Sequence, residues 1–251
     1  MGSIKKNRVG EKLITKQGYE IEIIEYINAK NMKIVFNDLY GAIIEKIAYS
    51  KLVKGEVTNP YHRTCRGVGY LGQGIYLVSI KGKDTKCYKK WSGLMERSYS
   101  DNYKKLKPTY KDVTVCEEWH CFQNFAEWYF ENNIADYQLD KDILIKGNKV
   151  YSPETCCFVP QEINCLFTKN NSIRGEYPIG VSSQQKDKYE ANLCIYGKQK
   201  YLGLFSTVEE AFNVYKLEKE KQIKEVAEQW RGKITTNVYE ALINYKVDIT
   251  D

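Results

Sequence analysis

The chain is poor in imidazole. Its 251 residues contain two histidines, His62 and His120, far apart in sequence. His62-Arg63-Thr64-Cys65 and His120-Cys121 offer isolated ligand atoms, and nothing beside them completes a site. None of the eight cysteines falls in a C-x-x-C pair, so the spacing of a structural zinc knuckle is missing. No run approaches the roughly 18 apolar residues of a membrane-spanning helix, and no apolar segment follows the basic start. The expectation is a cytoplasmic protein with reduced thiols and no secretory leader. Adjacent Cys156 and Cys157 then read as small buried hydrophobes. No strong charge bias is present either. A net charge of +6 argues against an acidic mimic of DNA and is compatible with nucleic acid without demonstrating it.

What is present suits a soluble globular chain of one large domain or two to three small ones. Apolar residues make up 43 % and charged residues 28 %. Between Gly18 and Phe36, Ile21 and Ile23 alternate with Glu20 and Glu22, which predicts a half-buried strand. Lys33–Phe36 and Ala42–Ile47 read as further strands between Asn- and Gly-bearing turns. Residues 1–62 therefore form a small β-barrel or meander, with nucleic-acid contact, protein docking and a structural cap all open as roles. Gly67 to Gly74 contains a formal G-x-G-x-x-G, but an apolar strand at Ile75–Ile80 follows it. A dinucleotide site needs a helix there. Residues 63–83 read as a glycine-rich connector plus a strand.

Tyr88, Trp91, Leu94, Met95 and Tyr99 fall at helical spacing, with Asp84 or Thr85 as cap. Val113–Val115 reads as a short strand. Phe122, Phe125, Ala126 and Tyr129 make a second helical face, and both stripes read as core. Leu139 to Leu166 then reads L-D-K-D-I-L-I-K-G-N-K-V-Y-S-P-E-T-C-C-F-V-P-Q-E-I-N-C-L. This stretch, with the preceding Y-K-K-W-S-G-L-M-E-R-S-Y and V-C-E-E-W-H-C-F-Q-N-F, resembles phage and prophage HNH (ββα-metal) nucleases of the homing type. The resemblance implies an HNH-like module over 84–170 and a divalent cation such as Mg2+, if the protein is active, on Asp140 and Asn164. It places Lys141 where the water-activating histidine would stand, and Thr155 where the middle Asn would be. Asp140 and Lys141 are thereby the candidate catalytic pair, with Asp142 and Glu154 as substitute ligands. A lysine is a poor base unless burial lowers its pKa by several units. Metal-dependent cleavage and an inert scaffold kept for DNA binding both stay open.

Residues 171–251 predict three short strands at Ile179–Ser182, Tyr189–Tyr196 and Lys200–Phe205. A helix follows, with Thr207 and Glu210 as a capping box and Val208, Ala211, Phe212 and Tyr215 on its apolar face. Glu220 and Lys224 read as an exposed i,i+4 pair, and Asn237 with Glu240 as the capping box of a last helix. G-V-S, K-Y-E-A-N-L-C-I and Y-L-G-L-F-S-T-V-E-E-A-F-N-V-Y resemble the ethylene-response-type DNA-binding domain of plants, which also occurs in phage proteins. That resemblance implies a sheet laid in the major groove of double-stranded DNA. It places contacts at Ser182, Gln184, Lys188, Tyr189, Glu190, Asn192 and Tyr196, while several arginines of the plant domain are missing. Lys186, Lys188, Lys198 and Lys200 cluster at the turns and suit phosphates. The expected fold is α+β in small modules, and the expected protein is a phage DNA-binding protein of a bacterial host. A second reading is an anti-defence (anti-CRISPR-like) protein that blocks a host nuclease or defence complex.

Overall fold

The computed structural model describes residues 7–134, 137–167 and 176–250. The fold is mixed α+β and divides into two compact units. One comprises Met1–Glu131 with Val150–Ser152, the other Asn132–Lys149 with Pro153–Asp251.

The first unit begins with an antiparallel meander of β1 (Lys12–Ile14), β2 (Glu20–Asn28), β3 (Asn31–Phe36) and β4 (Ile43–Ile47), in that spatial order. It is an open sheet with β1 and β4 at its edges. Strand alternation sends Ile21, Ile23, Met32, Ile34 and Phe36 to one buried face. Leu52 of α1 (Tyr49–Val53) packs into the same cluster. Full burial of side chains this size contributes roughly 1.5–3 kcal/mol each.

The glycine-rich stretch behaves differently from its sequence pattern. The expected strand at Ile75–Ile80 shrinks to β5 (Ser79–Ile80), paired with β6 (Lys83–Asp84). Ile75 and Leu77 are exposed. The Gln123 side chain occupies the backbone of Tyr76 on both sides, accepting its N–H at 3.0 Å and donating to its carbonyl at 3.0 Å. A Cβ at Gly72 would collide with Cys121 Sγ, and one at Gly74 with the Gln123 amide. These glycines serve close chain approach.

Thr85 caps α2 (Lys86–Tyr99) by accepting the Tyr88 N–H at 3.1 Å. Ser100 caps α3 (Asp101–Leu106) in the same way. Farther on, β7 (Thr114–Val115) runs parallel to β9 (Val150–Tyr151), and α4 (Phe122–Asn132) buries Phe122, Phe125, Ala126 and Tyr129. Trp91, fully buried, donates its indole N–H to the Trp119 carbonyl at 2.7 Å and meets Phe122 edge-on. Both aromatic stripes are core.

In the second unit, β8 (Gln138–Asp140) pairs antiparallel with β10 (Cys157–Val159), and α5 (Gln161–Leu166) follows at once. Cys156 and Cys157 are both buried, and burial pushes the Cys157 thiol well above its ordinary range. Next comes an antiparallel sheet of β11 (Val181–Gln185), β12 (Lys188–Ile195) and β13 (Lys198–Phe205). It packs on α6 (Val208–Gln229), and α7 (Thr236–Ile243) closes the chain. The Thr207–Glu210 capping box forms as expected.

Helix α6 belongs to two cores. Its first turns, through Ala211, Phe212 and Tyr215, pack on Ala191 and Leu193 of β12. Its later turns, through Ile223, Val226 and Ala227, pack with Ile143, Cys157, Val159 and Ile163 of the β8–β10–α5 segment and with Val238 and Leu242 of α7.

Two expectations change here. Glu220 is buried, not half of an exposed pair with Lys224. Its carboxylate accepts the Val247 N–H at 3.0 Å and faces Lys246 Nζ at 3.3 Å, tying the C-terminal segment to α6. The last helix takes Thr235 at its N-cap position, so Asn237 lies inside it and accepts the Val238 N–H instead of capping with Glu240. Glu220→Ala leaves the Val247 N–H without its acceptor and is expected to cost about 1–3 kcal/mol in urea denaturation. Glu220→Gln recovers most of that loss, and Lys224→Ala stays within about 0.5 kcal/mol of the parent.

Candidate nucleic-acid interface

Asp140 ends β8, with Cys157 as its cross-strand partner. Asn164 lies on α5, which packs against β8, so the two expected metal ligands are carried by touching elements. Asp140 Oδ1 accepts the N–H of Asp142 at 2.7 Å and of Ile143 at 2.9 Å. The carboxylate therefore fixes the turn that leaves the strand. Burial raises its pKa above the ordinary carboxylate value, and the two backbone bonds and the Lys141 charge pull the other way.

Lys141 is buried, and its ammonium donates to Asp142 Oδ1 at 2.5 Å and to the Asn148 carbonyl at 2.9 Å. The Asn148 amide returns a bond to the Lys141 carbonyl at 2.8 Å. This reciprocal clamp closes the loop from Asp140 to Asn148. Glu154 is exposed, and Thr155 lies in the turn just before Cys156.

Two of the expected donors are already engaged within the protein. One oxygen of Asp140 already serves two N–H groups, and Asp142 already neutralises an ammonium. Among the described residues no group of three or more His, Cys, Asp and Glu side chains is arranged to hold a metal ion. The histidines are engaged elsewhere: His62 Nδ1 lies 3.1 Å from the Tyr19 hydroxyl and His120 Nε2 3.1 Å from that of Tyr99. Burial lowers the His120 pKa below its usual value. A lysine whose ammonium is held by two oxygen acceptors is also poorly placed to take a proton from water.

The three-strand sheet sorts its side chains by alternation. Ala191 and Leu193 of β12 point to α6, so Lys188, Glu190, Asn192 and Cys194 point away. Across the ladder, Ser182 pairs with Glu190, Glu190 with Leu204, and Asn192 with Tyr201. The outward face thus carries Ser182, Lys188, Glu190 and Asn192 as expected. It also carries Tyr201, 59 % exposed, and Leu204, 50 % exposed, neither of which the sequence reading singled out. The signal was hidden by a bulge at Ala191/Asn192, which shifts the register of β13.

The other expected contacts fall elsewhere. Tyr189 packs on the α6 side, edge-on to Tyr177. Lys200 sits opposite Leu193 and donates to Glu218 of α6 at 2.8 Å. Tyr196 opens the β12–β13 turn with φ +49° and is exposed, and the nearby Glu162 carboxylate raises its pKa. Glu162 also accepts the Trp230 indole N–H at 2.8 Å. Lys186 lies in the β11–β12 turn and Lys198 opens β13, both exposed. Gln184 lies in β11, and its side chain is outside what the structure describes.

No family model, curated protein or solved structure matches the chain.

The Asp140 turn makes a pH-dependent prediction. Burial raises this carboxyl, so folding favours its protonated form. Its contribution to stability falls as pH rises from the ordinary carboxylate range through the raised value, then levels off. Asp140→Asn keeps an oxygen for the two N–H groups and removes the charge. At neutral pH it is expected to match or exceed the parent in urea denaturation, with a flatter dependence between pH 4 and 7. Asp140→Ala loses both bonds and about 1–3 kcal/mol.

Proposed function

We propose that the protein binds double-stranded DNA through the outward face of β11–β13, and that the β8–β10–α5 hairpin supports this surface without cutting. The observation that carries the reading is the layout of that face. Short hydrogen-bonding side chains and two apolar ones lie along it, with Lys188 at the start of β12 and Lys186 in the adjoining turn.

The lengths agree with this use. An eight-residue strand such as β12 is roughly 26 Å long. The major groove is roughly 12 Å wide and admits a small sheet. Lys186 and Lys188, at the β11–β12 end of that face, meet phosphates, whereas Lys198 pairs with Ile195 on the α6 side. Along the face, Ser182 and Asn192 offer donors and acceptors to base edges. Glu190 can accept from a cytosine amino group, and Leu204 offers apolar contact to a thymine methyl. Phosphate contacts set the register, and the central side chains supply sequence preference. The backing is rigid, because α6 fills the inner face with Ala211, Phe212 and Tyr215. On this reading Asp140 and Lys141 shape a turn, and no bound cation is required for DNA binding.

Fluorescence anisotropy with a labelled duplex tests the reading. Lys186→Ala with Lys188→Ala is expected to weaken binding and to lower the slope of log affinity against log salt by about two. Lys200→Ala moves both less, because Glu218 already holds that ammonium. No duplex binding, or an unchanged slope, contradicts the reading and turns attention to a host nuclease or defence complex as partner. Magnesium-dependent nicking abolished by Asp140→Ala restores a catalytic role for the hairpin.

A further inference from the structure

The segment after the N-terminal sheet assembles three tyrosines from distant positions. Tyr40, from the β3–β4 loop, lies flat on Tyr61, with ring centroids 4.2 Å apart and planes within 2°. Tyr70 leans against both, at 6.2 Å from Tyr40 and 5.8 Å from Tyr61. Parallel rings at this separation are offset, an arrangement that ring quadrupoles favour, and the chain on either side holds them there.

The bonds that set it are visible. Asp38 Oδ1 accepts the N–H of Tyr40 at 3.0 Å and of Gly41 at 2.9 Å, and its other oxygen accepts the Asn59 amide at 2.5 Å. Asn59 is buried and accepts the Tyr61 N–H at 2.8 Å. The Gln73 amide bonds both backbone groups of Ile43, at 2.6 and 3.3 Å. One aspartate and two amides therefore fasten both strips of chain, and the rings are in place before any ligand arrives.

The stack is open on one side. Tyr61 covers one face of the Tyr40 ring, yet Tyr40 remains 50 % exposed, and neighbouring Leu39 is 94 % exposed. Arg63, two residues beyond Tyr61, is exposed. The nearest carboxylate on the loop, Asp38, is already occupied by N–H donors. A planar, electron-rich, preformed ring pair with an exposed guanidinium two residues along the chain matches the two features of a single-stranded nucleic-acid contact: a ring for the base and a cation for the phosphate.

We propose that Tyr40 and Tyr61, with Arg63, form a stacking site for an unpaired nucleobase of single-stranded DNA. The site is separate from the duplex-binding sheet and belongs to the other compact unit. A duplex keeps its base faces covered, so the two sites take different forms of DNA.

The test is anisotropy of the full chain with a fluorescein-labelled oligothymidylate, run beside the labelled duplex. Tyr40→Ala is expected to weaken oligothymidylate binding by about tenfold or more, as loss of one base–aromatic stack does. Tyr40→Trp, which keeps a flat ring, retains binding. Arg63→Ala lowers the affinity and reduces the salt slope by about 0.7, the single-strand value for one phosphate. Duplex binding is unchanged in all three, and Lys186→Ala with Lys188→Ala leaves oligothymidylate binding unchanged. The proposal is overturned if the parent does not bind oligothymidylate, or if Tyr40→Ala binds it like the parent. It is equally overturned if Tyr40→Ala and Tyr40→Trp both lose it together with the duplex, which would mark the stack as a folding element. Failure of duplex binding alone strikes the C-terminal sheet and leaves this site standing.

Discussion

The second unit depends on one helix being shared between two cores. Helix α6 is 22 residues long, and neither of its halves would bury enough apolar surface alone. Its first half becomes the inner wall of the three-strand sheet, and its second half the inner wall of the β8–β10–α5 segment. The buried Glu220 carboxylate sits between these halves and anchors the chain end at Val247, whose side chain belongs to the sheet-side core. An interior carboxylate is costly unless its oxygens are satisfied, and here a backbone N–H and an ammonium supply them. Because α6 fills the sheet's inner face, the other face is left with the polar and half-exposed side chains that can meet a partner.

The same economy explains the hairpin at Asp140. Its turn is closed by Asp140 accepting two N–H groups and by the Lys141–Asn148 clamp. One oxygen of Asp140 and one of Asp142 are turned to the protein's own N–H and ammonium groups. What remains is a stable ββα element, braced through Ile143, Cys157 and Ile163 against α6. Its role in the fold is mechanical: it holds the helix that holds the sheet.

Much of this was legible in the sequence where local periodicity decides structure. The alternation of Ile21 and Ile23, the helical spacing of Trp91, Leu94 and Met95, and the Thr207–Glu210 pair each report a local preference that the fold keeps. What escaped was set by residues distant in sequence. Ile75 and Leu77 look like a strand, but Gln123, from α4, takes the Tyr76 backbone and no sheet forms there. Glu220 looks like a surface helix charge, but Val247 lies 27 residues on. The bulge at Ala191 brings Tyr201 and Leu204 to the outward face and leaves Lys200 paired to α6, which no reading of β13 alone would show. The ring stack of Tyr40 and Tyr61 needs a loop and a connector that meet only after folding.

The central claim is that duplex DNA meets the outward face of β11–β13 and leaves the Asp140–Asn148 loop untouched. Amide chemical-shift mapping of isotope-labelled protein, titrated with a short duplex in the presence of magnesium, tests it most directly. Shifts are expected at Ser182, Lys188, Glu190, Asn192 and Tyr201, with Asp140, Lys141 and Asn164 unmoved. Shifts centred on Asp140, Lys141 and Asn164, with the sheet silent, would contradict it.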